Sequence, residues 1–350
     1  MRMKRFLLNL FVVAVLLGGL LRFSLEFEVP QDIAMRQLAS VVLGRPTSGI
    51  PQPDSLQIYV CGSASPLGMS DRAQTCLAVI TPGHFYIVDS GAGSAANINA
   101  ARLPMNRLQG VFVTHFHSDH IAELYELNLA SWVRGRPQPL QVFGPKGVRE
   151  VVNGINESYQ LDRSYRIEHH GADFLPPDLG KLQHQTVREG VVLEDGDLIV
   201  TAYIAEHNPA SPALGYRFDY RGRSVVISGD SNVTPETKRI ATNVDLLIHD
   251  ALSVPAVTSM AVAAEEAGLK RMSKIMYDVI DYHASTDSII ELGMNTKIGM
   301  IAYYHLVPAP GNMLTHKFFE RGLPENFVIA QDGQWFELPA NSNAINVSAP

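Results

Sequence analysis

The most informative segment of this 350-residue chain is His115-Phe116-His117-Ser118-Asp119-His120. Three histidines and an aspartate within six residues are hard to explain by packing, since imidazole is the commonest transition-metal ligand and carboxylate oxygen can complete a divalent site. The preceding residues 109–114 are predicted to form a strand, and a strand ending in a tight loop can direct alternate side chains to one point. His115 and His117 can therefore share one metal ion, while Asp119 and His120 face a second position.

Further candidate ligands follow other predicted strands. They are His207 after residues 198–206, Asp230 after residues 224–228, and His305 after residues 297–303. Each has an ordinary alternative, since a histidine at a strand end is often a loop residue and Ser-Gly-Asp is a common turn. All three follow the six-residue motif at residues 115–120, called the hexad below, and their joint placement favours a metal site. Gly229 permits a sharp turn before Asp230.

Two more ionisable residues are candidates for proton transfer. Asp250 directly follows the buried strand predicted at residues 245–249, and His283 stands just before a predicted helix that starts at Thr286. A carboxylate beside a histidine raises the basicity of the imidazole and fixes its tautomer. The alternative is a solvated His283 beside a helix cap formed by Ser285 or Thr286.

These motifs resemble those of the metallo-β-lactamase fold hydrolases, in particular the ribonuclease Z and arylsulfatase-like branch. The resemblance extends from about Ile58 to Trp335 and depends above all on the hexad, which is the signature of the superfamily. Weaker marks of the branch are Gly62-Ser63-Ala64-Ser65-Pro66, His207 followed by Leu214-Gly215-Tyr216-Arg217, Leu247-Ile248-His249-Asp250 and His283-Ala284-Ser285-Thr286.

Alternating strands and helices predict a layered α/β sandwich, and the resemblance implies a four-layer αβ/βα sandwich of two mixed β-sheets flanked by helices. It also implies two zinc ions per chain. The ligands it implies are His115, His117 and His207 for one ion, Asp119, His120 and His305 for the other, and Asp230 as the bridge. The branch usually has a glutamate at the position of Asp250. Iron or manganese could occupy the same set of ligands.

The expected reaction is hydrolysis of a small phosphodiester or an aryl sulfate ester. Paired zinc ions can lower the pKa of water and supply hydroxide. Asp119 would orient this hydroxide, while His283, tuned by Asp250, would protonate the leaving oxygen or stabilise developing charge. The alternatives are a lactonase or β-lactamase-type hydrolase of the same fold, a ribonuclease Z-like endoribonuclease, and a metal-binding protein without catalysis.

Two features lead us to expect a small-molecule ester substrate and no nucleic acid partner. Only 22 residues separate His207 from Asp230, which leaves no room there for the long arm with which ribonuclease Z enzymes grip tRNA. The net charge of -7 becomes -11 once residues 1–25 are set aside. A negative charge of this size disfavours a polyanionic partner such as RNA. The insertion at residues 147–188 is expected to be a surface loop, with a lid over the site as the alternative. A homodimer is left open.

The chain start predicts a targeting segment. Arg2, Lys4 and Arg5 precede an apolar run from Phe6 to Leu21, which is typical of a signal peptide or signal anchor over residues 1–25. The absence of a small-residue cleavage site after Leu21 favours an anchor that contacts the inner membrane, with the rest of the chain in the periplasm, or secreted if the segment is cleaved.

The rest of the chain is expected to contain one catalytic domain. Residues 26–54, with four prolines, are predicted to be a connecting segment, residues 55–340 the hydrolase domain, and residues 341–350 a tail. An apolar fraction of 46% with 18% charged residues excludes bulk disorder. Cys61 and Cys76 either form a disulfide in an oxidising compartment or remain two buried thiols.

Overall fold

The computed structural model describes residues 2–44 and 54–349, which fall into two units. The first unit contains helices α1 (Arg2–Ser24) and α2 (Glu28–Gly44). Most of the predicted connecting segment at residues 26–54 is therefore helical. Its residues 45–53, with Pro46, Pro51 and Pro53, lie outside the described residues, as do Met1 and Pro350.

The predicted membrane anchor at residues 1–25 is contradicted. Within residues 2–44 and 54–349, no helix combines the length and the apolar character that crossing a membrane requires. The apolar run is shorter than the ~20 residues of a comfortable span. Asn9 and the pair Gly18-Gly19 interrupt it, and Arg22 follows it directly. The predictions of an inner-membrane contact and a periplasmic or secreted location, which depended on this segment, are wrong with it.

The second unit begins at residue 54 of the described chain and contains two β-sheets. Its strands are β1 (Ser55–Gly62), β2 (Cys76–Ile80), β3 (Phe85–Val88), β4 (Gly110–Phe112), β5 (Gln141–Gly144), β6 (Gln183–Thr186), β7 (Gly190–Asp195), β8 (Leu198–Ala205), β9 (Ala213–Tyr220), β10 (Arg223–Ile227), β11 (Leu246–Leu252), β12 (Met300–Val307), β13 (Phe327–Ile329), β14 (Trp335–Pro339) and β15 (Asn346–Val347).

The helices of this unit follow or connect the strands. They are α3 (Ser94–Ala100), α4 (Ser118–Ile121), α5 (Leu124–Trp132), α6 (Val148–Ser158), α7 (Gln160–His170), α8 (Pro235–Ala241), α9 (Val254–Glu266), α10 (Lys270–Asp278), α11 (Thr286–Met294) and α12 (Met313–Phe319).

Both sheets are mixed. The first has the order β15-β14-β1-β2-β3-β4-β5-β6 and the second β13-β12-β11-β10-β9-β8-β7. In the first sheet, β3 to β6 run parallel to one another, and the remaining pairs are antiparallel. In the second, β10 to β13 are parallel and β7 to β10 antiparallel. Parallel strands bring their carboxyl ends to one edge of each sheet, so residues that follow those strands can meet.

An apolar core joins the two sheets face to face. The Phe112 ring of β4 lies 5.1 Å from that of Tyr216 and 5.6 Å from that of Phe218. On the outer faces, helices such as α5 and α6 pack on the first sheet, and α8, α11 and α12 on the second. The predicted four-layer sandwich is therefore confirmed.

The strand before the hexad is fixed to the opposite sheet by hydrogen bonds as well as by packing. The hydroxyl of Tyr216 donates to the carbonyl of Val113 (2.8 Å), and the backbone N–H of Leu214 donates to the carbonyl of Thr114 (2.9 Å). Contacts with both sheets therefore fix the backbone directly before the hexad.

The insertion at residues 147–188 differs from the expected surface loop. It contains α6, α7, a short 3₁₀ helix at Pro177–Gly180 and the edge strand β6. Both helices were missed because their polar composition resembled that of a loop, yet Val148 and Val152 recur at the spacing of one helix face and are buried against the first sheet.

The two cysteines, which the sequence left as either a disulfide or two thiols, form a disulfide between β1 and β2. The Cα atoms of Cys61 and Cys76 are 5.0 Å apart. No free cysteine remains in the described part of the chain.

Candidate metal centre

All nine candidate residues lie together at one end of the two sheets. The hexad follows β4 of the first sheet, and the other five residues belong to the second. These are His207 just after β8, Asp230 just after β10, Asp250 in β11, His283 before α11, and His305 in β12. Their donor atoms form three overlapping groups, in each of which all atoms lie within 4.8 Å of one another.

The first group contains three histidines and Asp230. Nε2 of His115 lies 2.9 Å from Nδ1 of His117, and Nε2 of His207 lies 3.3 Å from the same atom. Oδ2 of Asp230 is 3.8 Å from Nε2 of both His115 and His207. Three imidazole nitrogens thus converge on one point beside a carboxylate.

The second group combines two histidines with two carboxylates. Oδ2 of Asp119 lies 3.1 Å from Nε2 of His305 and 3.4 Å from Nε2 of His120. Oδ2 of Asp230 lies 3.2 Å from Nε2 of His120 and 3.4 Å from Nε2 of His305. Asp230 therefore belongs to both groups and lies between them.

Gly229 allows Asp230 to reach this position. Its φ is +62°, and a Cβ there would lie only 2.7 Å from the carbonyl oxygen of Leu214 and 3.0 Å from Cβ of Thr114. Only glycine meets both conditions without strain. The turn at Ser228-Gly229-Asp230 therefore requires glycine for two reasons, the positive φ and the close approach of Leu214 and Thr114.

The donor sets of the two groups fit divalent metal ions. Nε2 of His120 and Oδ1 of Asp230 are buried, and neither has a hydrogen-bond partner among the described residues. Buried polar atoms usually have a partner, so buried ligand atoms without one, on side chains that converge, indicate a binding site for a cation. Imidazole nitrogen and carboxylate oxygen without thiolate suit zinc, and also iron or manganese.

Residues behind the candidate ligands fix the orientation of the rings. His120 donates through Nδ1 to Oδ2 of Asp89 (2.8 Å), and His207 donates through Nδ1 to the carbonyl of Tyr282 (2.9 Å). Such partners set the tautomer that presents Nε2 to a metal. Asp89 was missed in the sequence, although it is a carboxylate directly after a strand, β3, as Asp230 is a carboxylate after β10.

Burial and neighbouring charges give the two groups different protonation behaviour. Burial lowers the pKa of His115, His117 and His207, which favours the neutral imidazole that a metal needs. Burial would also lower the pKa of His120, but Asp230 and Asp89 raise it overall. Burial would raise the pKa of Asp119, but its interactions with the nearby His120 and His305 hold that pKa below its usual range.

Asp250 and His283 form the pair that the sequence suggested. Nδ1 of His283 donates to Oδ2 of Asp250 (2.9 Å), so the aspartate reaches the histidine although it is shorter than glutamate. On its other side, Oδ1 of Asp250 lies 2.9 Å from Nδ1 of the buried His249. Nδ1 of His283 lies 3.9 Å from Oδ2 of Asp230, which places the pair beside both metal-binding groups.

Comparison with known proteins identifies the family. A family model described as "Beta-lactamase superfamily domain" matches residues 84–305. The chain is 29% identical over 257 residues to ribonuclease Z of Mycobacterium marinum, covering 73% of this chain and 87% of that protein. It is 30% identical over 260 residues to ribonuclease Z of Mycobacterium sp. (strain KMS), covering 73% of this chain and 86% of that protein.

Solved structures show the same fold at low sequence identity. The metallo-β-lactamase fold protein YhfI of Bacillus subtilis has a TM-score of 0.60 at 17% identity, covering 81% of this chain and 99% of that one. A diphosphatase from the PhnP family has a TM-score of 0.58 at 16% identity, covering 82% and 100%. Human tRNase Z, short form, has a TM-score of 0.56 at 17% identity, covering 81% and 99%.

The prediction that nucleic acid is not a partner is contradicted by these relatives, several of which are named ribonuclease Z. The prediction gave too much weight to net charge. A net charge is a sum over the whole surface and does not describe the potential at one site.

Proposed function

The chain belongs to the β-lactamase superfamily and has ribonuclease Z among its relatives, and we propose that it is a metal-dependent hydrolase of RNA phosphodiester bonds. The observation that carries this proposal is the pair of histidine–aspartate groups that share Asp230 beside the His283–Asp250 pair. Phosphodiester hydrolysis needs positive charge close to the phosphoryl oxygens and a proton for the leaving oxygen. Metal ions held by the two groups would supply the charge, and His283 would supply the proton.

Two zinc ions would be held by the residues of the two groups. His115, His117 and His207 would hold one ion, Asp119, His120 and His305 the other, with Asp230 shared. When bound, the ions supply charge that polarises a phosphoryl oxygen and lowers the pKa of water.

Asp119 is suited to orient the attacking water. Its Oδ2 accepts a hydrogen bond from His305 (3.1 Å), and its lowered pKa keeps the carboxylate ionised. A fixed, ionised carboxylate at the cluster can accept a hydrogen bond from water and hold a lone pair towards phosphorus.

His283 is suited to deliver a proton to the leaving oxygen. Asp250 accepts the Nδ1 proton and thereby fixes the ring, so Nε2 is the nitrogen left to exchange a proton with substrate. His249 supports this arrangement because it lies against the other oxygen of the same carboxylate.

A small phosphodiester is the second candidate substrate. The 22 residues between His207 and Asp230 are almost filled by β9, β10 and their turn, so this segment offers no arm to hold a folded RNA. Aryl sulfate is a third candidate, because a sulfuryl oxygen carries similar charge.

A substrate panel tests the proposal. Zinc-loaded protein is assayed with a tRNA precursor that carries a 3′ trailer, an activated aryl phosphodiester, an aryl sulfate, a lactone and a β-lactam. Wild type should cleave the precursor, and His115→Ala should lose the activity. His170→Ala, at an exposed histidine of α7, is the matched control and should retain it. Turnover of the small diester without RNA cleavage supports the second candidate, and turnover of lactone or β-lactam alone rejects both.

A further inference from the structure

A cavity of about 390 Å³ opens beside the first metal-binding group. The cavity is lined by His115, Phe116, His117, Lys146 and residues 209–212. This volume lies within the range of small-molecule sites in proteins, which is ~300–1,000 Å³.

The position of His117 makes this cavity an entrance to the candidate metal centre. Among the seven candidate metal ligands, His117 is the exposed member and the other six are buried. Because the exposed ligand lines the cavity, a substrate that fills the cavity lies directly against the first group.

Lys146 brings a positive charge to this entrance. The residue is exposed, and no acidic side chain in the described ranges forms an ion pair with it. Its backbone is held between the buried Pro145 and the start of α6, where the N–H of Val148 donates to the carbonyl of Pro145 (3.1 Å). A cation on a fixed backbone without an acidic partner is available to an anionic ligand.

Phe116 supplies an aromatic surface next to that charge. Its half-buried ring lies against Gly147, the neighbour of Lys146, so closely that a Cβ on Gly147 would be 3.0 Å from Cε2 of the ring. Gly147 has φ +112° and no side chain, which allows this approach. Phe116 and Lys146 therefore line the same cavity from neighbouring positions.

We propose that this cavity is a nucleotide subsite, in which Lys146 pairs with a backbone phosphate and Phe116 stacks on a base. The inference rests on the proposed RNA-cleaving function and specifies which substrate unit the site recognises next to the scissile bond. A base supplies a face for the ring and a phosphate supplies an anion for the lysine, and single-stranded RNA presents the two at adjacent positions. An aryl ester would use only the ring, and inorganic phosphate only the charge.

The test measures binding and cleavage separately. Zinc-loaded protein is titrated into a short labelled single-stranded oligoribonucleotide at several salt concentrations, with fluorescence anisotropy as the readout, and KM and kcat are measured on the tRNA precursor. The variants are Lys146→Gln, Lys146→Arg, Phe116→Leu and Phe116→Trp. The matched control is Lys297→Gln, at an exposed lysine before the start of β12 and so at the other end of the sheet.

Lys146→Gln should weaken binding about tenfold and reduce the slope of log K against log salt by about 1, since one phosphate contact is lost. Lys146→Arg should retain most of the affinity. Phe116→Leu should weaken binding about fivefold or more with little change in the salt slope, and Phe116→Trp should restore it. KM for the precursor should rise in parallel, while Lys297→Gln behaves as wild type.

The outcomes separate the subsite from the reaction. If the precursor is cleaved but both Lys146→Gln and Phe116→Leu match the Lys297→Gln control, the subsite is rejected while the reaction stands. If the precursor is not cleaved but binding depends on Lys146 and Phe116 as described, the subsite stands and the proposed reaction is wrong.

Discussion

His120 and Asp89 form a buried pair in which Nδ1 of the histidine donates to Oδ2 of the carboxylate over 2.8 Å. Asp89 also accepts hydrogen bonds from the backbone N–H and the hydroxyl of Thr114, both at 2.8 Å. A residue directly before the hexad and one inside it are thus held by the same carboxylate. This geometry directs Nε2 of His120 towards Asp119 and Asp230.

Replacement of Asp89 should weaken metal binding without removing a ligand. In Asp89→Asn the ring of His120 loses its carboxylate acceptor, and we expect a loss of about 10- to 100-fold in affinity for zinc. Competition with a chromophoric chelator measures this affinity. Asp195→Asn, at a half-exposed carboxylate at the end of β7, is the control and should bind zinc as wild type does. Equal affinities for the two variants would show that Asp89 does not act on the site.

The number of bound ions should depend on which ligand is removed. Wild type is expected to bind two zinc ions per chain, His207→Ala to retain one, and Asp230→Asn to lose tight binding of both, since Asp230 belongs to both groups. Metal analysis after exhaustive dialysis measures the stoichiometry, and activity lost to a chelator should return with zinc. A wild type that binds one ion at saturation contradicts the two-ion proposal.

His283→Ala should impair turnover while leaving the metal content intact. We expect kcat on the tRNA precursor to fall by about 10²- to 10⁴-fold, with KM little changed, because a proton donor acts only in the transition state; the fall on an activated aryl diester should be smaller, since its phenolate needs less protonation to leave. Asp250→Asn should act in the same direction, since it removes the acceptor that fixes the ring. An unchanged rate of cleavage of the tRNA precursor by His283→Ala would rule out the acid role.

Gly229→Ala should destabilise the fold more than a comparable change at another left-handed glycine. Gly222, in the turn between β9 and β10, has φ +77° with open space around it, so alanine there meets only backbone strain of about 1 kcal/mol. At Gly229 the Cβ also meets the carbonyl of Leu214, and the total cost should reach about 3 kcal/mol. Chemical denaturation of both metal-free variants measures the difference, and equal costs would show that this contact relaxes freely.

Asp162 should make a pH-dependent contribution to the packing of α7 on α5. It accepts hydrogen bonds from Arg166 (2.8 Å) and Tyr125 (2.6 Å). The bond from Arg166 does most to lower its pKa. A lowered pKa in the folded state means that the stabilisation is complete above the unfolded pKa of ~3.9 and is lost as pH falls through the folded value.

Asp162→Asn should therefore reduce stability at neutral pH by about 1 kcal/mol or less, since the side chain is partly exposed. The difference in Tm between wild type and variant should stay constant from pH 7 to about pH 4 and narrow below it. A difference that widens in acid contradicts this assignment.

Much of the site could be predicted because most of its residues belong to short sequence patterns. His115, His117, Asp119 and His120 lie within six residues, and four of the other five follow predicted strands, while His283 precedes a predicted helix. Alternating strands and helices then restrict the fold to a few layered architectures in which such strand ends can meet. The structure brings all nine predicted residues together for this reason.

What could not be predicted depends on tertiary contacts. The role of Asp89 depends on its distance from His120, 31 positions later, and that distance exists only after β3 and β4 pair. Likewise α6 and α7 are polar enough to resemble a loop, and the burial of one face of α6 against the first sheet is evident only in the folded structure. The order of the strands could not be predicted either, because some neighbours in a sheet, such as β14 and β1, are far apart in sequence.

Each of the two metal-binding groups draws on both sheets. The first group takes two histidines from the loop after β4 and two residues from the second sheet, and the second group likewise takes two from each. Neither layer can complete a group alone, so a bound ion acts as a cross-link between layers that also contact each other through apolar faces, hydrogen bonds and ion pairs. Unfolding of one sheet must then release the ions, and the loaded protein should unfold in a single cooperative step.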